Sequence, residues 1–188
     1  MSTEEYYHVF ETILLAGVLT LIVQGWSKLY IHRNQYRFSW SYTFGAIEFA
    51  MLVIWKYFIS RSFAVYELID TPFELIVLVF VPAASLLMGA YIYFPQTYKD
   101  IDITEHLIEN RFWFCQNVII LLAMVTLNVY LVDALTTDLL IINVSVSCLL
   151  IAFIITGNIR IWNTILAMGL VILPYYLLQD SEYYQLVQ

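Results

Sequence analysis

Long apolar segments joined by short connections limit the folds open to this chain more than any other feature. Six can be marked, at about 9–29, 38–59, 73–94, 112–132, 139–156 and 159–178. An α-helix rises 1.5 Å per residue, so about 20 residues cross the roughly 30 Å hydrocarbon core of a bilayer. Because 62% of the residues are hydrophobic and only 12% are charged, a soluble fold could not cover its surface. The sequence predicts an all-α, polytopic transmembrane helical bundle, with residues 1–188 as one domain.

The distribution of basic residues predicts how this bundle is oriented. Most Lys and Arg residues lie in or beside the connections after the first, third and fifth segments: Lys28, Arg33, Arg37, Lys99, Arg111 and Arg160. The opposite side has only Lys56 and Arg61. Cytoplasmic connections of membrane proteins carry an excess of Lys and Arg. We therefore expect both termini outside, and the protein in a plasma membrane.

The shortest connection is the pair Gly157 and Asn158, between the fifth and sixth segments. Gly and Asn form turns readily, so this pair favours a tight hairpin of two helices over one long helix. The alternative, one continuous helix, would leave five spans and move the C-terminus to the other side. The prediction is six spans, N-out and C-out.

Trp and Tyr residues cluster at the ends of the apolar segments. The clusters are Trp26 and Tyr30, Trp40 and Tyr42, Trp55 and Tyr57, Tyr91 and Tyr93, and Trp113 with Trp162. Amphipathic rings of this kind are enriched at the two membrane–water interfaces. We interpret these side chains as interfacial anchors.

One carboxylic acid, Glu48, lies near the middle of the second apolar segment. A charged residue at the centre of a membrane helix costs about 2.5–3.5 kcal/mol on insertion scales. Each Leu, Ile, Val or Phe of the segment returns about 0.3–0.6 kcal/mol, so the helix still inserts. An acid kept at this cost is a candidate functional residue.

Other polar residues lie within the apolar segments, and the helical rise places them in layers. From the cytoplasmic ends, the layers hold Gln24, Asn117 and Asn163 at about 6–8 Å, Glu48, Ser85 and Ser147 at about 13–15 Å, and Asn128 and Asn143 at about 20–24 Å. Polar side chains avoid lipid, so we expect them to face each other. They form either a path for an ion, a proton or a small polar solute, or hydrogen bonds between helices worth about 0.6 kcal/mol each.

Pro82 lies within the third apolar segment. A proline removes one backbone hydrogen bond and predicts a kink in a membrane helix. This kink could act as a hinge opposite Glu48, or it could be passive, since proline is common in such helices.

The connection over residues 95–111 carries a second candidate function. Its sequence predicts a cytoplasmic amphipathic helix over about 100–111 that runs into the fourth segment, and Asp102 and Glu105 have the spacing of a capping box. Four residues here are candidates for contact with a cytoplasmic protein partner: Glu105, His106, Glu109 and Arg111. A membrane-embedded sensor or adaptor is therefore the alternative to a channel or transporter.

A family resemblance begins at the same connection. Its residues are, in order, the run Tyr93-Phe94-Pro95, an acidic linker, Glu105-His106 and the stretch ENRFWF at 109–114. This pattern is similar to one in an uncharacterised family of small bacterial integral membrane proteins with six spans. The similarity covers about residues 73–114. It implies a bacterial inner-membrane protein and supplies neither an activity nor a catalytic residue.

Several function classes lack support in the sequence. It has no HExxH motif and no glycine-rich phosphate loop, and Cys115 and Cys148 fall inside apolar segments as small hydrophobic residues. No basic run could follow a phosphate backbone, which argues against nucleic-acid binding. We expect no enzyme, no cofactor and no metal site. The expected partners are the lipid bilayer and, since six short helices enclose little space, further copies of the chain.

Overall fold

Helices make up nearly all of the computed structural model, which describes residues 3–33, 36–37, 39–62, 69, 71–95, 101–131 and 136–187. The helices are α1 Thr3–Ile31, α2 Trp40–Ser62, α3 Pro72–Leu75, α4 Val81–Tyr93, α5 Ile103–Leu131, α6 Thr137–Thr156 and α7 Ile159–Val187, and a π-helical turn, Ile76–Phe80, joins α3 to α4. Two short strands, β1 Tyr36–Arg37 and β2 Ile101–Asp102, pair in parallel. The prediction of an all-helical bundle is confirmed at this level.

The predicted amphipathic helix and the fourth apolar segment form one continuous helix, α5, of 29 residues. Its first turn is capped by Asp102, whose Oδ1 accepts hydrogen bonds from the backbone N–H groups of Thr104 at 2.9 Å and Glu105 at 3.2 Å. These N–H groups have no partner within the helix, so the Asp102 side chain satisfies them. The acid at the start of the capping-box pattern therefore has the role that its spacing predicts.

A tight turn separates α6 from α7, as the Gly157-Asn158 pair predicts. Gly157 has φ of +62°, a left-handed conformation that glycine adopts without steric cost, and its N–H donates to the carbonyl of Phe153 at 2.8 Å. Asn158 then begins the next helix, since its Oδ1 accepts from the N–H of Arg160 at 3.0 Å. The two helices are a hairpin.

Four of the described helical stretches are long and apolar enough to cross a membrane: Glu5–Ile31, Phe73–Tyr93, Ile103–Leu131 and Thr137–Thr156. A shorter apolar stretch, Ile159–Tyr175, lies in α7. Large apolar side chains cover the outside of the bundle, and Ile155 at 74% exposed and Val171 at 71% exposed are examples. An apolar surface of this extent is unfavourable in water and suits lipid. The chain is therefore a membrane-embedded helical protein.

The helices pack in a closed ring that α2 completes. Around the ring α1 contacts α4, α4 contacts α5, α5 contacts α6, α6 contacts α7, α7 contacts α2, and α2 contacts α1. Helix α2 also contacts α4 and α5 across the ring, so it lies toward the interior. The side chains that fill this interior include Val18, Ala46, Leu86, Leu121 and Phe153. The helix that reaches across the ring is the one that carries Glu48.

The interpretation of the aromatic residues as interfacial anchors is wrong for Tyr42, Trp55, Tyr93 and Trp162, which are all buried. Tyr42 and Tyr93 stack with ring centroids 4.4 Å apart, and each hydroxyl donates to the backbone carbonyl of the other residue. Burial is favourable here because the rings fill the core while their polar tips are satisfied. The exposed members of the clusters include Trp40, Tyr91 and Trp113.

Candidate functional site in the helical bundle

A cavity of about 80 Å³ lies between α2, α5, α6 and α7. Four aromatic side chains form much of its wall: Phe49, Trp55, Phe114 and Trp162. Glu48 and Asn143 are the polar side chains with an oxygen at this wall. At about 30 Å³ per molecule, the space would hold two or three waters, and it is far below the roughly 300 Å³ of a drug-sized pocket.

Helical spacing brings the cavity wall together. Gly45, Glu48 and Leu52 are three or four residues apart and lie on one face of α2. Trp162 and Gly169 are seven residues apart, two turns, and share a face of α7. The contact between α2 and α7 therefore presents both faces to one shared cavity.

The Glu48 side chain is 7% exposed, and its Oε1 has no hydrogen-bond partner in the part of the chain that the structure describes. Leaving a buried polar atom without a partner is costly, and more so for a carboxylate. Buried polar atoms of this kind are rare in proteins and call for an explanation. Glu48 is thus a buried acceptor at the wall of a small space.

Gly169 makes room for this carboxylate. A Cβ atom at that position would lie 2.6 Å from Oε2 and 2.7 Å from Cδ of Glu48. Gly45 on α2 likewise faces the Tyr93 hydroxyl and the Trp162 ring, and a Cβ atom there would lie only 2.9 Å from Cζ2 of Trp162. Small residues let membrane helices approach closely, and these two glycines bring α2 against its neighbours.

Trp162 supplies a second unsatisfied group at the same wall. It is 4% exposed, and its indole Nε1 has no hydrogen-bond partner among the described residues. The ring packs against Phe114 and Phe153, with centroids 5.8 and 5.5 Å away. An indole N–H can only donate. The cavity therefore presents one unsatisfied acceptor and one unsatisfied donor.

The other polar residues predicted to surround Glu48 do not all reach the bundle interior. Gln24 and Asn163 are exposed on the outside, and Ser147 is half-buried. Asn117 donates to the carbonyl of Trp113 in its own helix at 2.7 Å, and Ser85, although buried, donates to Val81 in the same way at 2.8 Å. Within the described residues, the structure does not bring these side chains together into one polar layer.

Asn143 and Asn128 form hydrogen bonds between helices. Asn143 Nδ2 donates to the Thr126 hydroxyl at 2.8 Å and links α6 to α5. Asn128 Nδ2 donates to the backbone carbonyl of Leu78 at 3.2 Å. Both contacts match the interpretation of intramembrane amides as links between helices.

Pro82 explains why the Leu78 carbonyl accepts from another helix. It follows closely after the π-helical turn, in the first turn of α4. In an α-helical register its N–H would reach the carbonyl of Leu78, four residues earlier, but proline has no N–H. Neighbouring helices commonly satisfy carbonyls released in this way. The Asn128 amide does so here, and the predicted hinge is tied to α5.

The four predicted partner-facing residues fall into two groups. Glu105 and Glu109 are exposed on α5. His106 Nε2 lies 3.2 Å from the carbonyl of Ile92, and Arg111 Nε donates to the carbonyl of Ile154 at 2.9 Å. His106 and Arg111 thus fasten α5 to α4 and to the end of α6, where a cation also interacts favourably with the helix dipole. Residues 96–100 of this connection lie outside the described residues.

A buried ion pair is a feature that the sequence reasoning missed. Lys56 Nζ lies 2.6 Å from Glu11 Oε1, and both side chains are fully buried. The distribution of basic residues places Lys56 on the outer side of the membrane, but its side chain links α2 to α1 within the bundle. Opposite charges near the same end of two consecutive antiparallel segments were the available signal. Gly169 and Trp162, the other residues missed at this site, lie two turns apart on α7, and the sequence alone does not show that this helix faces Glu48.

Among the described residues, no group of three or more His, Cys, Asp or Glu side chains could hold a metal ion. Glu48 and Trp162 can together accept and donate hydrogen bonds in a space of low polarity. The chain matches no protein-family model, and no curated protein and no solved structure shows significant similarity to it.

Proposed function

We propose that this protein moves an ion, a proton or a small polar solute across the membrane and binds it at Glu48. The observation that carries the proposal is the buried Oε1 of Glu48, which lacks a partner among the described residues and lines the cavity. An ionisable group inside a membrane bundle is costly to keep and commonly belongs to a transport pathway. A bound solute would supply the missing hydrogen bond.

A carrier with a single binding site fits this arrangement better than an open pore. The cavity wall is mainly apolar and aromatic, and Gln24 and Asn163 lie on the outside of the bundle. A pore needs polar groups along its whole length, whereas a carrier needs one site that is exposed to each side in turn.

The proposed topology has six spans, with both termini outside a bacterial inner membrane. The spans are α1, α2, the continuous rod from α3 to α4, α5, α6 and α7. Helix α2 carries Glu48 and Lys56, but both side chains are buried in the bundle, so charge is kept away from lipid. Lys56 also pairs with Glu11, so the positive charge on its side of the proposed topology is partly neutralised.

Alkaline phosphatase fusions test this topology. Fusion after residue 188 should be active outside the cytoplasm, and fusion within the connection that follows α1 should be inactive. The opposite pattern would reverse the orientation. Equal activity at both positions would contradict an odd number of crossings between them.

Flux measurements on purified protein in liposomes test the proposed function. Proton entry is followed with an enclosed pH-sensitive dye, K⁺ entry with an ion-sensitive dye, and urea or glycerol entry by light scattering. We expect at least one flux above that of protein-free vesicles, and its loss in Glu48→Gln. The matched control is Glu105→Gln, the same chemical change at an exposed position on α5.

Both variants are checked for helix content and monodispersity, so that misfolding is not read as lost transport. Unchanged flux in folded Glu48→Gln would remove Glu48 from the mechanism. Equal losses in Glu48→Gln and Glu105→Gln would likewise contradict a specific role for the buried carboxylate.

A further inference from the structure

We propose that the cavity beside Glu48 binds a small organic ammonium compound that also carries a hydrogen-bond acceptor, such as a short amino alcohol. The inference rests on the proposed function, because it names the class of solute for the same site. It is supported by the charge, the walls, the second unsatisfied group and the size of the cavity.

The charge of the cavity calls for a cation with N–H donors. Glu48 is the one ionisable residue among the described residues that line the cavity, and its Oε1 lacks a hydrogen bond. A carboxylate accepts hydrogen bonds and cannot donate them. In a space of low polarity, an N–H donor that also carries positive charge forms the strongest partner for it.

The walls favour an organic ammonium ion over an alkali metal ion. An alkali metal ion needs several oxygen ligands to replace its hydration shell. Among the described residues, side-chain oxygens at this wall come from Glu48 and Asn143 alone. The remaining surface includes the rings of Phe49, Phe114 and Trp162, and aromatic faces attract ammonium groups.

The indole of Trp162 adds the requirement for an acceptor. Its Nε1 is buried and has no partner among the residues that the structure describes, and an indole N–H donates only. Its ring approaches α2 at Gly45, one helical turn before Glu48. A ligand that carries both an ammonium nitrogen and an oxygen could satisfy both groups.

The volume of the cavity sets the upper limit on the size of the ligand. About 80 Å³ accommodates four or five non-hydrogen atoms, which is the size of ethanolamine. Tetramethylammonium has no N–H donor for Glu48 and carries four methyl groups around its charge. The cavity should therefore discriminate against it, even though the walls are aromatic.

Binding is measured on the purified full-length protein in detergent, by thermal unfolding and by isothermal titration calorimetry. The probes are the chloride salts of ethanolamine, methylammonium, tetramethylammonium and potassium at equal ionic strength. A ligand that binds the folded state raises the unfolding temperature in proportion to the logarithm of its concentration over its Kd. We expect stabilisation by ethanolamine, less by methylammonium, and none by the other two.

Two variants assign the contacts. Glu48→Gln should abolish binding of both amines. Trp162→Phe keeps a ring but removes the N–H, and should weaken ethanolamine about three- to ten-fold, the value of one hydrogen bond, while methylammonium is unchanged. Trp113→Phe, the same change at an exposed position on α5, is the matched control.

The outcomes separate this inference from the transport proposal. Stabilisation by potassium equal to that by ethanolamine, or no effect of Trp162→Phe on ethanolamine, would overturn the ligand class. Amine binding without entry of ethanolamine, or of any other solute tested, into the liposomes would support the site and contradict transport. Proton or potassium flux without amine binding would support transport and overturn the ligand class.

Discussion

Replacing Asn128 by Leu removes the hydrogen bond that holds the π-helical turn to α5. The amide donates to the carbonyl of Leu78 at 3.2 Å, and Pro82 offers no N–H in its place. Hydrogen bonds between membrane helices contribute about 0.6 kcal/mol on average and about 1.7 kcal/mol at most. A buried carbonyl left without a donor costs about 1–3 kcal/mol.

Part of this cost is offset by a second effect of the same substitution. Asn128 Oδ1 is buried and has no hydrogen-bond partner among the described residues, so its removal relieves a polar group that is already unsatisfied. Leu is also close to Asn in shape and leaves little empty space. We therefore expect Asn128→Leu to lower the free energy of unfolding by about 1 kcal/mol, within the range above.

A double-mutant cycle with Pro82→Ala tests the reasoning. That substitution restores a backbone N–H four residues after Leu78, so the carbonyl regains a donor within its own helix. In this background Asn128→Leu should cost about 0.3 kcal/mol or less, which gives a coupling energy of at least about 0.5 kcal/mol. The assay is reversible unfolding in mixed micelles, followed by circular dichroism.

Asn117→Leu is the matched control on the same helix. Its amide bonds to the carbonyl of Trp113 within α5, so its loss should change stability by less than about 0.5 kcal/mol in either background. Equal costs of Asn128→Leu with and without Pro82→Ala would refute the reasoning. They would mean that Pro82 is not the reason why the Leu78 carbonyl lacks a donor within its own helix.

Two further predictions concern the buried charges. Gly169→Ala places a methyl group 2.6 Å from Glu48 Oε2 and should displace the carboxylate, so amine binding should fall at least about ten-fold. Gly17→Ala, which has open space around it, should leave amine binding unchanged, and equal effects of the two substitutions would exclude a steric cause. Lys56→Met removes the cation 2.6 Å from the buried Glu11 carboxylate and should lower the free energy of unfolding by about 3–5 kcal/mol in the same micelle assay. Adding Glu11→Gln should recover most of this loss, since a buried pair can be replaced at little net cost, and a double variant as unstable as Lys56→Met would contradict this.

Local chemistry accounts for the features that were predictable from the sequence. Apolar segments of about 20 residues give membrane helices, because a bilayer leaves the backbone no other partners. Asp102 caps α5 and Gly157 ends α6, because each depends only on residues within one turn. The position of Glu48 deep within an apolar segment is likewise visible in the sequence.

The direction in which a side chain points within the bundle is not a local property. Tyr93 and Trp162 have the positions of interfacial anchors but are core residues, because α2 approaches α4 and α7 closely enough to cover them. Gln24 and Asn163 lie at depths where an interior site was expected, yet they face outward. The depth of a residue in the membrane follows from counting residues along its helix. The direction in which its side chain points depends on the rotation of that helix about its axis.

The sequence alone determined that this chain forms apolar helices, where several of them begin and end, and that one acid lies deep within them. These properties depend on composition and on neighbours along the chain, which the sequence displays directly. Only the packing of α2 against α1, α5 and α7 decided that Lys56 meets Glu11 and that Glu48 shares a cavity with Trp162. Such contacts join residues many positions apart, and the rotation of each helix is set by all its neighbours at once.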